Sequence, residues 1–371
     1  MQKTKKKVCH LTTVHHRYDT RILLKECTSL YKNDFEVHLV VADGKGFEDY
    51  NGIMIHDVGK AKSRLNRFLK ITKAVYEKGL NLNADIYHFH DAELMPSGIK
   101  LKKKGKKVIY DAHEDLPRAL MSKHYINYFL RKPVSVILEW YEDYAAKKFD
   151  FIITATPHIQ KRFAKLNMAS LDVNNYPLLS ELNTDATDWG SKKNEVCYIG
   201  TITQIRGLEE VIDAMEHLIG IRLNLAGSFS PKSFKENLKS RKGWEQTNFL
   251  GQINRDEVKK VLRESQVGIV TFLPFGNHTH SQPNKLFEYM AQGIPLVASN
   301  FDLWKAIIEK VDCGICIDPS NPKAIAEAIQ VLLSDKIKAT QMGENGRKAV
   351  LSTFNWESEE KKLIMLYNEL V

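Results

Sequence analysis

The sequence predicts an α/β fold of two domains, each a parallel sheet covered by helices on both faces. Three observations lead there. Short apolar, β-prone runs alternate with helical periodicity along almost the whole chain, as repeated strand–helix units do. The alternation breaks once, in LDVNNYPLLSELNTDATDWGSKKNE, a stretch rich in Asn, Asp, Thr and Ser that reads as a linker, and then restarts. At 371 residues the chain is too long for one comfortable core. The expected organisation is therefore residues 1–175, residues 190–352 and a closing segment at 353–371, with the join near 175–195.

In the first half, VCHLTT reads as a strand, and DTRILLKECTSLYK as a helix with Ile22, Leu23, Leu24, Cys27 and Leu30 near one face. FEVHLVVA is the next strand and RLNRFLKITKAVYEKG a basic amphipathic helix. ADIYHFH, KVIYDAHED and DFIITAT are strands, separated by the helices ELMPSGIKLKKKG and PVSVILEWYEDYAAKKF. In the second half the strands are VCYIG, IRLNLAG, TNFLGQI, QVGIVTFLP, PLVAS and GICID. The helices are LEEVIDAMEHLI, PKSFKENLKSR, RDEVKKVLRES, NKLFEYMAQ, LWKAIIEKV and PKAIAEAIQVLLSD, and the chain closes on NWESEEKKLIMLYNEL. Open sheets of this kind bind ligands outside the C-terminal ends of their strands, and two such domains facing each other make a cleft.

Composition narrows the function classes. Hydrophobic residues at 43% and charged residues at 27% describe an ordinary globular chain. Five cysteines are too few and too odd for a disulfide framework, which points to reduced thiols and a cytoplasmic setting. Cys313 and Cys316 spell C-x-x-C but sit in a β-prone run, as small strand residues do. No apolar run reaches membrane-spanning length, and no apolar core follows the basic start as in a signal peptide. The net charge of +9 is lopsided: residues 1–175 hold 31 Lys+Arg against 20 Asp+Glu. A basic half suits an anionic partner such as a diphosphate or lipid head groups, although a cluster such as KLKKKGKKV also reads as a solvated lysine face.

The candidate chemistry lies in strand-to-helix loops. In YIGTITQIRGLEEVI a strand ends at Gly200 and a helix opens at Gly207, with Arg206 beside it, an arrangement that suits phosphate. LNLAG ends in Gly227, leaving room for a ligand against backbone. In PNKLFEYMAQG, Asn284 and Lys285 start a helix whose dipole and ammonium could hold a diphosphate. Glu288, one turn on, could accept two hydroxyl hydrogen bonds from a ribose; it could equally be an exposed helix residue paired with Lys285.

These motifs, in this order, resemble the retaining glycosyltransferases of family 4 (glycosyl transferases group 1), in a bacterial polysaccharide-synthesis branch. YIGTITQIRG, LNLAG, NFLGQI and FEYMAQGIPLVAS match the family's second domain. FNWESEEKKLIMLYNEL matches its closing helix, and HLTTVHHRYDTRILLKECTSL, DIYHFHDAEL and KVIYDAHEDLP match its first domain. The resemblance implies a GT-B fold: two Rossmann-like parallel-sheet domains facing across a cleft, with the C-terminal helix returning to the first. It implies transfer of a sugar, with retention, from a nucleotide-diphosphate-sugar, with UDP as the base carrier, to a glycan or polyprenyl-diphosphate-linked glycan. Gly200, Thr201, Arg206, Gly227, Asn284, Lys285, Leu286 and Glu288 are the implied donor residues. Arg206, Lys285 and Glu288 act in catalysis together with His113 of YDAHED, which the resemblance puts beside the transferred sugar. Arg17, Asp19, Arg21, His90 and Asp91 are implied on the acceptor or phosphate side, with a helix-capping role open for Asp19.

Two positions depart from the family pattern. The family has a glutamate eight positions before Glu288, where this chain has His280, and often an arginine where it has Thr201. With no D-x-D motif, and with His15–His16 and His278–His280 lacking metal spacing, no metal and no cofactor beyond the donor are expected. The segment HYINYFLRKPVSVILEW suits docking on an anionic inner-membrane surface, or equally the flank of a buried helix. The alternatives are a nucleotide-sugar 2-epimerase on the same architecture and a degenerate nucleotide-sugar-binding protein. Nucleic acid is not an expected partner, since no reading motif accompanies the basic half.

Overall fold

The computed structural model describes residues 5–121, 126–166, 168–181, 188–275 and 279–370. His278, residues 182–187 of the expected linker, and His124 and Tyr125 of the expected docking segment lie outside them. The chain divides into two compact units, Met1–Asn175 together with Trp356–Val371, and Tyr176–Asn355.

The first unit is built on eight strands: β1 (Lys7–Leu11), β2 (Glu36–Val41), β3 (Glu48–Tyr50), β4 (Ile53–Asp57), β5 (Ile86–Phe89), β6 (Lys107–Ala112), β7 (Phe151–Thr154) and β8 (Ser170–Asp172). Their order is β3-β4-β2-β1-β5-β6-β7-β8, and only β3 is antiparallel to its neighbour. The β3–β4 hairpin and the edge strand β8 were not foreseen in the sequence; at three residues, β3 and β8 are too short to show a period. The order reverses direction between β1 and β5, so the loops after those strands diverge there, the usual opening for a ligand.

Strand periodicity sends alternate residues to opposite faces. Cys9 and Leu11, Tyr87 and Phe89, and Tyr110 and Ala112 enter one apolar core with Met95, Leu101, Ala145 and Phe163. The residues between them are His10, His88 and Asp111, all fully buried on the other face. Helix Thr20–Cys27 helps cover the first unit. Its wider π-type turns place Arg21, Lys25 and Glu26 among its buried residues, where the sequence suggested an ordinary amphipathic helix. The C-terminal helix Trp356–Leu370 belongs to the same unit. Trp356 Nε1 donates to Ser29 Oγ at 2.9 Å, Tyr367 OH lies 2.8 Å from His88 Nδ1, and Glu359 accepts from the Asn174 amide at 2.9 Å.

The second unit holds a six-stranded, all-parallel sheet: β9 (Glu195–Ile199), β10 (Arg222–Ala226), β11 (Thr247–Gly251), β12 (Val267–Val270), β13 (Leu296–Ser299) and β14 (Gly314–Ile317). The order β11-β10-β9-β12-β13-β14 is that of a doubly wound dinucleotide-binding sheet, with its reversal between β9 and β12. Here both faces are apolar. Val196 and Tyr198 of β9 join a core with Leu208, Leu223 and Ile325, while Cys197 joins Leu286, Phe287 and Trp304 on the other side.

Helix Lys336–Ser352 is the largest element the sequence hid, because KIKATQMGENGRKAV is polar and carries two glycines. One of them explains its packing: a Cβ on Gly343 would lie 2.2 Å from the Gly293 carbonyl oxygen, so only glycine lets the backbones approach.

Trp356 is 1% exposed and anchors the C-terminal helix in the first unit. Trp356→Ala is expected to destabilise that unit by about 3–5 kcal/mol, read as a lower urea midpoint for its unfolding with the second unit's transition unchanged.

Candidate active site

In the second unit Gly200, Gly227, Lys285 and Arg206 come together at the strand-order reversal. β9 ends at Gly200, whose φ of 139° is left to glycine and whose amide donates to the Ala226 carbonyl at 2.8 Å. The missing side chain makes room for Lys285: a Cβ on Gly200 would lie 2.3 Å from Lys285 Nζ. The ammonium group rests over the Tyr198 ring, 4.3 Å from its centroid, and donates to Tyr198 OH at 3.1 Å. That hydroxyl in turn donates to the Thr201 carbonyl at 2.7 Å, fixing the loop after β9.

Arg206 closes the same loop, one residue before Gly207 and the helix Leu208–Met215. Its guanidinium stacks 3.9 Å from the centroid of Phe272, just after β12. Burial lowers the basicity of Arg206. Burial, and then the neighbouring Arg206 charge, push Lys285 down to about 7, with Glu288 partly opposing them. Two cations held close enough for Arg206 to lower the basicity of Lys285 form a site that gains from an anion.

Asn284 and Lys285 open helix Asn284–Ala291, whose N-cap Pro283 supplies no side-chain capping bond. Glu288 is exposed on that helix. Gly227 follows β10, with its amide donating to Gly251 O at 2.7 Å. Leu286 does not face the loops: its side chain is fully buried in the core and its amide donates to Pro283 O at 3.1 Å, so it supports the helix rather than a ligand. Thr201 and His280 are exposed.

In the first unit the loops after β1 and β5 are tied together by Asp91. Its Oδ2 accepts from Thr12 Oγ1 at 2.8 Å and from the Thr13 amide at 2.6 Å. Asp19 caps helix Thr20–Cys27, accepting from the Arg21 and Ile22 amides at 2.9 and 3.0 Å, and its other oxygen lies 3.0 Å from His15 Nδ1. Neither arginine expected on the acceptor or phosphate side is available there. Arg17 is buried and bidentate on Asp43, with a further bond to Glu48 at 2.7 Å. Arg21 is buried and bidentate on Asp111 at 3.0 and 2.9 Å, with a third bond to the Val173 carbonyl. A guanidinium whose fork is already filled has little left for a ligand.

Like Asp19 at 21%, His113 reaches solvent, with a side chain 20% exposed. Its Nε2 lies 2.9 Å from Asp111 Oδ2 and 3.2 Å from His90 Nδ1. His90 is buried behind it, and burial lowers its basicity to about 4, against the hydrogen bond to Asp111. Burial opposes ionisation of Asp111, but Arg21 and then His113 hold it well below the usual carboxylate range. Asp111 was missed in the sequence reading, as were Tyr198 and Phe272. For Asp111 the signal was present, since it precedes His113 by two and so shares its face of the strand. The aromatic seats under Lys285 and Arg206 come from other strands and leave no local pattern.

Comparison with known proteins fits this arrangement. The family described as Glycosyl transferases group 1 matches residues 180–349, and the one described as Glycosyltransferase Family 4 matches residues 20–173, together spanning most of the chain. An uncharacterized glycosyltransferase of Methanocaldococcus jannaschii is 28% identical over 46% of this chain and 44% of its own length, so the match spans under half of that relative. Among solved structures, sucrose-phosphate synthase of Thermosynechococcus elongatus superposes with a TM-score of 0.76 at 16% identity, covering 99% of each chain. HepE of Anabaena, in complex with UDP-glucose, superposes with a TM-score of 0.71 at 14% identity, covering 98% of this chain and 99% of its own.

Two outcomes are expected at this site. Gly200→Ala, which drives a methyl group into Lys285, is expected to weaken binding of a nucleoside diphosphate probe by at least about tenfold in calorimetry, with the circular dichroism spectrum retained. Above pH 7 the free Lys285 is losing its proton, and a bound diphosphate pulls the proton back. Affinity for UDP used as a diphosphate probe is therefore expected to fall by up to about tenfold per pH unit above pH 7, with proton uptake on binding. The uptake is measured by calorimetry in buffers of different ionisation enthalpy, and a Lys285→Met variant shows none.

Proposed function

Because the chain belongs to the group 1 glycosyltransferases of GT-B fold, we propose that it transfers a sugar, with retention, from a UDP-sugar to a hydroxyl of a glycan or lipid-linked glycan in surface polysaccharide synthesis. The observation that carries this reading is Lys285, held against Gly200 at the strand-order reversal of the second unit, with the Arg206 charge acting on it. Breaking a bond to a nucleoside diphosphate leaves two phosphates with growing negative charge. Cations fixed in place before the reaction stabilise that charge without reorganising. Lys285 and Arg206 take the diphosphate, Glu288 the ribose hydroxyls, and the backbone at Gly200, Thr201, Gly227 and Asn284 lines the donor. No bridging metal is part of this proposal.

His113 takes the place beside the transferred sugar. Its Nε2 is committed to Asp111, which fixes the ring's orientation. The bound UDP-glucose of HepE supports UDP as the donor's nucleotide.

A panel of UDP, GDP, ADP and CMP in thermal-shift assays tests the donor. UDP alone is expected to raise the melting temperature, and Arg206→Ala or Glu288→Ala to abolish the shift. With a UDP-sugar and acceptor, Arg206→Ala is expected to lower kcat/KM by about 10²–10³-fold, and NMR of the product is expected to show the donor's anomeric configuration. Binding without turnover on any donor would favour the degenerate binding protein, and isomerised donor without acceptor the 2-epimerase.

The acceptor side of the proposal is a lipid-linked glycan at the anionic cytoplasmic face of a membrane. Among the described residues no helix is long and apolar enough to cross a bilayer. Helix Tyr128–Ala146 instead leaves Phe129 84%, Ile137 65% and Trp140 69% exposed, with Arg131, Lys132, Lys147 and Lys148 among and after them. Aromatic and aliphatic side chains with basic neighbours suit an interfacial helix. Sedimentation with vesicles containing anionic phosphatidylglycerol is expected at low salt, reversed by salt and lost in a Phe129→Ser, Trp140→Ser double variant. Failure to bind at low salt rules out this part of the proposal.

A further inference from the structure

The polar face of the first sheet gathers a group that the proposed reaction does not use. His10 on β1, His88 on β5 and His90 just after it, and Glu26 on helix Thr20–Cys27 are buried together, each offering one ligand atom within 4.8 Å of the others. Glu26 Oε2 lies 4.0 Å from His10 Nδ1, 4.0 Å from His88 Nδ1 and 3.9 Å from His90 Nε2, and His10 Nδ1 lies 2.9 Å from His90 Nε2. Nitrogen and oxygen ligands of one zinc ion lie about 3–4 Å apart, so small adjustments of these side chains fit one ion.

The hydrogen bonding of the cluster is incomplete. Neither Glu26 oxygen, nor His10 Nε2, nor His88 Nε2 has a hydrogen-bond partner. Arg21 Nε is 3.1 Å from Glu26 Oε1, but its hydrogen bond goes to Asp111, whose charge neutralises it. Glu26 and Asp111 thus share one cation, Arg21, and buried polar groups left unmatched call for an ion or an ordered water. A supporting layer is also present. His90 has its other ring nitrogen, Nδ1, 3.2 Å from Asp111 Oδ2, the carboxylate–histidine pairing that orients metal ligands. The Tyr367 hydroxyl lies 2.8 Å from His88 Nδ1, which leaves Nε2, without a hydrogen-bond partner, as the His88 nitrogen open to an ion.

We infer that His10, Glu26, His88 and His90 form a structural site for one divalent ion of the zinc class, joining β1 and β5 to helix Thr20–Cys27. Three imidazoles and one carboxylate suit zinc, or cobalt in its place, better than magnesium or calcium, which take oxygen ligands. The burial of all four residues means that the ion is taken up as the unit folds. Burial takes His90 out of the acceptor role that the family resemblance implied, and the test of this site reads metal rather than turnover.

Untagged protein is unfolded in guanidinium with EDTA, desalted, and refolded with or without excess zinc sulfate. Plasma mass spectrometry after gel filtration is expected to give about one zinc per chain only when zinc is present, with a higher melting temperature. Refolding with cobalt is expected to give visible d–d bands without the thiolate charge-transfer band that Cys9 or Cys27 would add. Glu26→Gln and His88→Ala are expected to reduce the metal to below about a tenth per chain, while His217→Ala in the second unit retains it. If those variants do not fold, the wild-type refolding series decides alone. Wild-type protein that refolds in excess zinc to the same melting temperature, and holds less than about a tenth of an ion per chain, overturns the inference and leaves the cluster a shared-proton network.

Discussion

A parallel sheet must be covered on both faces, and each strand residue must face one of two helix layers. The two units meet this constraint differently. In the second, both layers are apolar, with Val196 and Tyr198 on one side of β9 and Cys197 on the other. In the first, one layer is apolar and the other carries His10, His88, Asp111, Arg21 and Glu26 in full burial. A hydrophobic layer tolerates many substitutions, but a buried polar layer is stable only if its charges and hydrogen bonds close on one another. The bidentate Arg21–Asp111 pair is the central closure. It holds helix Thr20–Cys27 to β6, and Asp111 in turn holds His113 just past the C-terminal end of β6.

The second unit keeps its polar chemistry at the ends of its strands. Lys285 is seated on Tyr198 and Arg206 on Phe272, so apolar ring faces hold the cations where carboxylates would neutralise them. The cost is a depressed basicity at Lys285, which an incoming anion reverses. Stability and ligand affinity therefore trade against each other at the same side chain. Gly200 makes the arrangement possible by lacking a side chain.

Helix Tyr128–Ala146 poses the opposite problem, with apolar side chains turned to water. Its inward residues Ser135, Glu142, Ala145 and Ala146 are small or paired, and Glu142 accepts from the Tyr110 hydroxyl at 2.9 Å. The burial of that one narrow face satisfies the fold. The exposed aromatic and aliphatic residues add nothing to it, which is why the proposed function assigns them to a surface outside the chain.

The sequence by itself determined the two-domain α/β architecture and most strands and helices, and the family resemblance added the return of the closing helix to the first unit. Strand and helix periods are local properties, and NYPLLSELN marks a break that no packing has to reveal. Gly200, Arg206 and Lys285 stood out as candidates because loop glycines and basic residues at strand ends are local signals too, whereas His113 entered only through the family resemblance. Helix Lys336–Ser352 escaped, since its glycines weaken the propensity that a contact with Gly293 makes up for. Only the tertiary structure decided that Arg17 and Arg21 are spent on internal carboxylates, that Leu286 faces the core, and that Tyr198 and Phe272 carry the cations. It alone brought Glu26 to His10, His88 and His90, from residues up to 80 positions apart. The physical reason is range: periodicity is written within a few residues, whereas the partner of a buried charge is chosen by whichever strands the sheet order makes neighbours.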